Sequence, residues 1–177
     1  MPNFEQLPTL ARRAILASFS QDQESFQVDS SDLPALGAFV TLWKNGELRG
    51  CIGHLEPIHD SVDREVWDCA VLAASKDPRF APVSHEEMPA ITIEVSLVFP
   101  YEPISDRSQL DPIHYGVIVE QDQRRGTLLP DIEGITTPDL QVQCAAEKAA
   151  IDLAKPHQLY RYKVHKVCES EDDNEQK

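Results

Sequence analysis

Apolar residues recur at helical spacing at Leu7, Leu10, Ala14, Ile15 and Phe19, which predicts an amphipathic helix over Leu7 to Phe19. A polar, irregular stretch follows from Gln21 to Pro34. Ala38-Phe39-Val40-Thr41-Leu42-Trp43 is then a β-branched and aromatic run, and Asn45-Gly46 suits a tight type I′ turn, so Gly37 to Gly53 reads as a β-hairpin. Beyond Pro57, Asp60 or Ser61 can cap a helix whose buried stripe is Val62, Val66, Cys69, Ala70 and Ala73, with Pro78 ending it. Ile91 to Val98 alternates: Ile91, Ile93, Val95 and Leu97 face inward, while Thr92, Glu94 and Ser96 take the other face. A proline-interrupted loop from Pro100 to Pro112 leads into a second hairpin, Tyr115 to Glu120 and Gly126 to Leu129, turning at Asp122-Gln123 with Arg124 and Arg125 at its tip. Thr137 to Ile151 reads as a helix capped by Thr136 or Thr137, with Pro138 in its first turn and Leu140, Cys144 and Ile151 on its apolar side. The last strand spans Leu159 to Val167. Helices and strands are mixed, not alternating, so the class is α+β: a mainly antiparallel sheet with flanking helices. No internal repeat is evident.

Composition narrows the functional range. The chain has 177 residues, enough for one well-cored domain, with 41% hydrophobic and 26% charged residues. Its net charge is −14. Glu169 to Lys177 contributes −4 of that, and the remaining body stays acidic. This surface repels phosphate backbones and carries no basic stripe with interleaved aromatics, which disfavours nucleic acid as a partner. Residues 169–177 read as a disordered acidic tail following a domain over residues 1–168. No run approaches the ~20 apolar residues of a membrane helix, and Met1-Pro2-Asn3-Phe4-Glu5 lacks the pattern of a secretory leader. The expectation is a cytoplasmic protein that does not engage a membrane, with its four cysteines (Cys51, Cys69, Cys144, Cys168) reduced.

Chemistry concentrates in Gly46-Glu47-Leu48-Arg49-Gly50-Cys51-Ile52-Gly53. On a strand, Arg49 and Cys51 share a face at a spacing of roughly 7 Å. A guanidinium there would lower the thiol pKa, and Gly50 and Gly53 leave room for a ligand or another backbone. The same string is also compatible with plain packing, a buried cysteine beside an arginine whose stem lies along the surface. Cys51, His54, His59 and Cys69 offer a Cys-x-x-His spacing without a second tight pair, so no metal is expected, and no cofactor. Asp77-Pro78-Arg79-Phe80 can bind an anion through Arg79, or pin a turn with Phe80 anchored in the core. Glu94 and Ser96 line a site if the polar face of their strand meets a second lobe. Lys148 reads as a surface lysine.

Several of these blocks together resemble the AMMECR domain family. Leu48-Arg49-Gly50-Cys51-Ile52-Gly53 matches its signature, and Ala73-Ala74-Ser75-Lys76-Asp77-Pro78-Arg79-Phe80 its second block. Ile93-Glu94-Val95-Ser96-Leu97 is similar to its Glu-x-Ser strand. Gly116-Val117-Ile118-Val119 with Arg124-Arg125-Gly126-Thr127-Leu128-Leu129-Pro130 resembles its late hairpin, and Leu10-Ala11-Arg12-Arg13-Ala14-Ile15 its opening helix. The chain departs from the pattern at Ala150, where the family typically has glycine, at Cys69 for asparagine and at Asp131 for glutamine. The resemblance implies two lobes with a cleft between them. It also implies kinship with protein A of an AmmeMemoRadiSam system, whose partners are a Memo-like protein and a radical-SAM protein.

Two functions follow as expectations. One is a ligand- or partner-binding component working with those proteins, using Arg49, Gly50, Gly53, Asp77, Arg79, Glu94 and Ser96. The other is an enzyme with Cys51 as nucleophile or redox thiol. His54 is the nearest base in sequence but lies on the opposite strand parity from Cys51.

Overall fold

The structure, a computed structural model, describes residues 4–20 and 33–169. The polar segment 21–32 and the acidic end 170–177 lie outside these residues. The described elements are α1 (Leu7–Ser18), β1 (Gly37–Lys44), β2 (Glu47–His54), α2 (Val62–Ser75), β3 (Ile91–Val98), β4 (Glu102–Ile104), β5 (Gly116–Gln121), β6 (Arg124–Leu128), α3 (Pro138–Lys148), β7 (Gln158–Tyr162) and β8 (Val164–Cys168). Two short 3₁₀ turns, His85–Ala90 and Arg107–Gln109, complete the set. The architecture is α+β, with two four-stranded antiparallel sheets and flanking helices.

The chain divides into two units, one made of residues 1–98 and 165–177, the other of residues 99–164. In the first, the sheet runs in the order β2-β1-β3-β8. α1 and α2 pack on each other and on this sheet. The period-2 pattern supplies the sheet's share of the core: Ala38, Val40, Leu42, Ile91, Ile93, Val95 and Leu97 are buried against Leu10, Ala14, Ile15, Val66, Ala70 and Ala73 of the helices. Ser61 caps α2 by accepting the backbone N–H of Arg64. The β1–β2 hairpin turns at Asn45 and Gly46, both at positive φ, as the Asn-Gly dipeptide predicts.

In the second unit the sheet order is β4-β7-β5-β6, and α3 packs on β5 and β6. Three expectations change here. The loop after Pro100 contains a strand, β4, which pairs with β7. Its Pro103 is accommodated because β4 is an edge strand. The buried face of α3 is Gln141, Val142, Ala145 and Ala146, with Leu140 and Cys144 only half-buried. Finally, Leu159 to Val167 is two strands. The break at Lys163 leaves β7 in the second sheet and β8 in the first. Nothing in the apolar and polar order of this run marks the residue at which the chain leaves one sheet for the other.

Candidate functional site

β2 forms the outer edge of the first sheet, hydrogen-bonded only to β1. Its Cys51 stands opposite Thr41, in a position where the backbone N–H and C=O point away from β1. Two side chains from the exit of α2 meet those groups. Asp77 Oδ2 accepts the Cys51 N–H at 2.9 Å, and Arg79 Nη2 donates to the Cys51 carbonyl at 3.4 Å. Arg79 also donates to both oxygens of Asp77, at 3.0 and 2.7 Å. The ion pair does for Cys51 what a fifth strand would. Asp77 is 2% exposed and Arg79 54%. The Arg79 guanidinium and two backbone N–H groups hold the Asp77 carboxyl far below the usual carboxylate range.

On the sheet face away from the helices, polar side chains form a row. Thr41 Oγ1 donates to Cys51 Sγ at 3.3 Å, Thr41 is also paired with Glu94 across β1 and β3, and Cys168 on β8 donates to Glu94 Oε2 at 3.8 Å. Ser96, two residues along β3, is 1% exposed, and its hydroxyl has no hydrogen-bond partner among the described residues.

Arg49 does not act on Cys51. Leu42 pairs with Gly50 but Trp43 with Leu48, so Arg49 is the extra residue of a β-bulge. Its guanidinium forks onto Glu87 with two 3.0 Å bonds and donates to the Ala81 carbonyl at 2.9 Å. Lys44 adds a bond to Glu87 at 2.8 Å. Arg49, then Lys44, hold the Glu87 carboxyl down at about 2. The Cys51 thiol, expected to be lowered, is raised: burial dominates, and the Thr41 hydrogen bond and the Arg79 charge offset it only in part.

The glycines of the motif also have a structural cause. A Cβ at Gly50 would stand 2.4 Å from the Ala73 carbonyl oxygen, and one at Gly53 2.2 Å from that of Ala38. Backbone fills the space at both positions. Phe80 is half-buried, outside the core, with the Arg79 guanidinium 5.5 Å and that of Arg49 6.0 Å from its ring centre. It lies across the two arginines instead of anchoring the turn in the core.

The AMMECR1 family profile matches residues 8–167. The chain belongs to the AMMECR1 family. A protein of Thermotoga maritima is 47% identical over 132 residues, covering 73% of this chain and 76% of that protein. Protein CA_C1420 of Clostridium acetobutylicum is 39% identical over 134 residues, covering 76% of this chain but 28% of that longer protein. A protein of Methanothermobacter thermautotrophicus is 46% identical over 102 residues, 54% of this chain and 53% of its own. Among solved structures, the crystal structure of uncharacterized protein PH0010 from Pyrococcus horikoshii superposes with a TM-score of 0.84 at 28% identity, covering 94% of this chain and 91% of that one.

In this AMMECR1 chain, then, Arg49, Cys51, Asp77, Arg79, Glu94 and Ser96 all fall in the first unit, gathered on β2, the exit of α2 and the polar face of β3. Lys148 is exposed at the end of α3 in the second unit and joins none of them. Arg124 and Arg125 lie within β6, Arg124 on the Ala150 carbonyl and Arg125 paired with Glu120 and over Tyr101. Sequence reasoning missed Thr41, Lys44 and Glu87. Only Glu87 had a legible signal: Ser84-His85-Glu86-Glu87 is a Ser-x-x-Glu capping box.

Proposed function

We propose that this chain is a non-catalytic binding component that presents the β2 edge, with Arg79 and Phe80, to a protein partner. The family resemblance names the Memo-like and radical-SAM proteins as those partners. The observation that carries the reading is that Arg49 and Arg79 are both already charge-paired, with Glu87 and Asp77. The patch is therefore close to neutral on an acidic chain, and aromatic at its centre. Such a surface suits burial against another protein, because little charge must be desolvated.

The alternative, Cys51 as nucleophile, lacks two requirements. Its thiol is raised, and the ionisable groups acting on it include the carboxylates of Asp77 and Glu94, which oppose the thiolate. Among the described residues, His54 bonds to Glu65 and Cys69, on the helix side of the sheet.

Purified Memo-like and radical-SAM proteins from the same source, mixed with the full chain on a sizing column, test the reading. Co-elution that Phe80→Asp abolishes and Cys51→Ser leaves intact supports it. Loss of co-elution with Cys51→Ser alone overturns it.

A further inference from the structure

On the other face of the first sheet, away from the patch above, three metal-binding side chains converge. Strand parity sends His54 of β2 to the helix side, opposite Cys51. Glu65 and Cys69 sit four residues apart on α2, hence on one helix face. His54 Nδ1 lies 2.6 Å from Glu65 Oε1 and 3.6 Å from Cys69 Sγ, and Cys69 Sγ lies 3.9 Å from Glu65 Oε1. Glu65 and Cys69 are both wholly buried. We propose that His54, Glu65 and Cys69 form a binding site for one divalent transition-metal ion, zinc by preference.

The geometry is close to what such an ion requires. A tetrahedral zinc with sulfur at about 2.3 Å and nitrogen or oxygen at about 2.0 Å sets its donors roughly 3.3–3.6 Å apart. The two distances to sulfur are near that already. The short His54–Glu65 contact is a hydrogen bond, and it opens when a cation takes the proton's place between them.

The carboxylate is also held for the purpose. Glu65 Oε2 accepts the backbone N–H of Ile58 at 2.9 Å and of His59 at 3.1 Å, which turns Oε1 toward His54 and Cys69. Sulfur, imidazole and carboxylate together exclude magnesium and calcium, which take oxygen donors. Among the described residues the thiol has only long contacts, to these two residues and to the Ala38 carbonyl at 3.8 Å.

Charge balance favours the ion as well. On binding, Cys69 gives up its thiol proton to solvent, and the proton between His54 Nδ1 and Glu65 Oε1 leaves Nδ1 by exchange with solvent, so that His54 ligates as a neutral imidazole protonated on Nε2. One dication then meets one thiolate and one carboxylate, leaving a neutral buried site. Because the thiol must give up its proton to ligate, the ion binds more strongly as pH rises. Cys51 and His59, which the sequence placed in the same group, are not ligands. Cys51 faces the other side, and His59 Nε2 bonds to Asp68 at 2.8 Å.

The full chain, stripped with chelator and titrated with zinc and with cobalt, tests the site. The expected result is one tightly bound ion per chain and a thiolate-to-cobalt charge-transfer band. Cys69→Ala should abolish the band, and His54→Ala should weaken zinc binding at least tenfold. Cys51→Ser should leave both unchanged. Circular dichroism on each variant separates lost binding from lost fold, and half-exposed His54 provides a variant that spares the core. No tight zinc binding, or binding that survives both Cys69→Ala and His54→Ala as adventitious surface coordination would, overturns the proposal.

Discussion

The Asp77 carboxylate accepts the backbone N–H of Cys51 across 2.9 Å, tying the exit of α2 to the edge of β2. The family signature and its second block are thus one structural unit, joined by a side chain 2% exposed. Asp77→Ala should strand the Cys51 amide and the Arg79 guanidinium together, destabilising the fold by about 2–4 kcal/mol. Asp77→Asn, which keeps an acceptor, should lose less. Urea denaturation of both variants gives the order.

Thiol chemistry should follow exposure. Cys168 is exposed, Cys51 and Cys144 are half-buried and Cys69 is buried. Cys168 should therefore label before Cys51 in the native protein, and Cys69 only on unfolding. Burial raises both the Cys51 and Cys168 thiols, so their labelling rates should still be climbing above the usual thiol range. Mass spectrometry of pulse-labelled protein reads both. Cys51 labelling first, with a plateau near neutral pH, would restore the reactive-cysteine reading.

Acid should weaken the first unit through Glu87. Its carboxyl sits near 2 in the folded chain, against about 4.3 unfolded. A depressed acid contributes stability that is complete above the unfolded value and lost as pH falls through the folded one. The melting temperature should thus decline between about pH 4.5 and 2, and Arg49→Ala should flatten the part of that decline that Glu87 contributes. Arg49→Ala should also cost about 1–3 kcal/mol at neutral pH, through its bonds to Glu87 and Ala81.

The acidic tail should prove to begin one residue later than the charge pattern suggests. Glu169 is gripped by Arg12, its carboxylate accepts the Ile93 N–H at 3.1 Å, and its own N–H reaches the Ile93 carbonyl at 2.9 Å. Ending the chain after Glu169 should leave stability unchanged. Ending it after Cys168 should lower the melting temperature, because Arg12 loses its buried partner.

Ala150, the alanine at a glycine position, adopts φ +51°. It stands just beyond Ala149, the C-cap of α3, where Ile151 N–H bonds to the Ala146 carbonyl and Ala150 N–H to that of Glu147, a Schellman ending. Ala150→Gly should stabilise the protein by about 0.5–1 kcal/mol, since the left-handed conformation strains a Cβ. A calorimetric melt checks this.

Periodicity made most of the fold legible. The stripe of α2, the alternation of β3 and the Asn45-Gly46 turn are local patterns, and the structure carries all three. What was hidden is non-local. Nothing in Leu159 to Val167 says that two halves of a run enter different sheets, and nothing in Pro103 says that an edge strand will accept it. At the site, spacing along a strand brought Arg49 toward Cys51, but the bulge turned Arg49 to Glu87, 38 residues away, and gave Cys51 to Arg79 instead. Residue types marked stretches that the fold brings together, and the assignment of charges among them required the fold.

The central claim is that the β2 edge with Phe80 binds a protein partner while Cys51 does no chemistry. The most direct measurement is the affinity of the purified radical-SAM and Memo-like proteins for four forms of the chain: native, Cys51→Ser, Phe80→Asp, and Ile113→Asp as a control on an exposed residue of the second unit. The account predicts equal binding for native, Cys51→Ser and Ile113→Asp, and a loss of at least tenfold for Phe80→Asp with its fold intact. Binding that ignores Phe80→Asp but disappears with Cys51→Ser would contradict it.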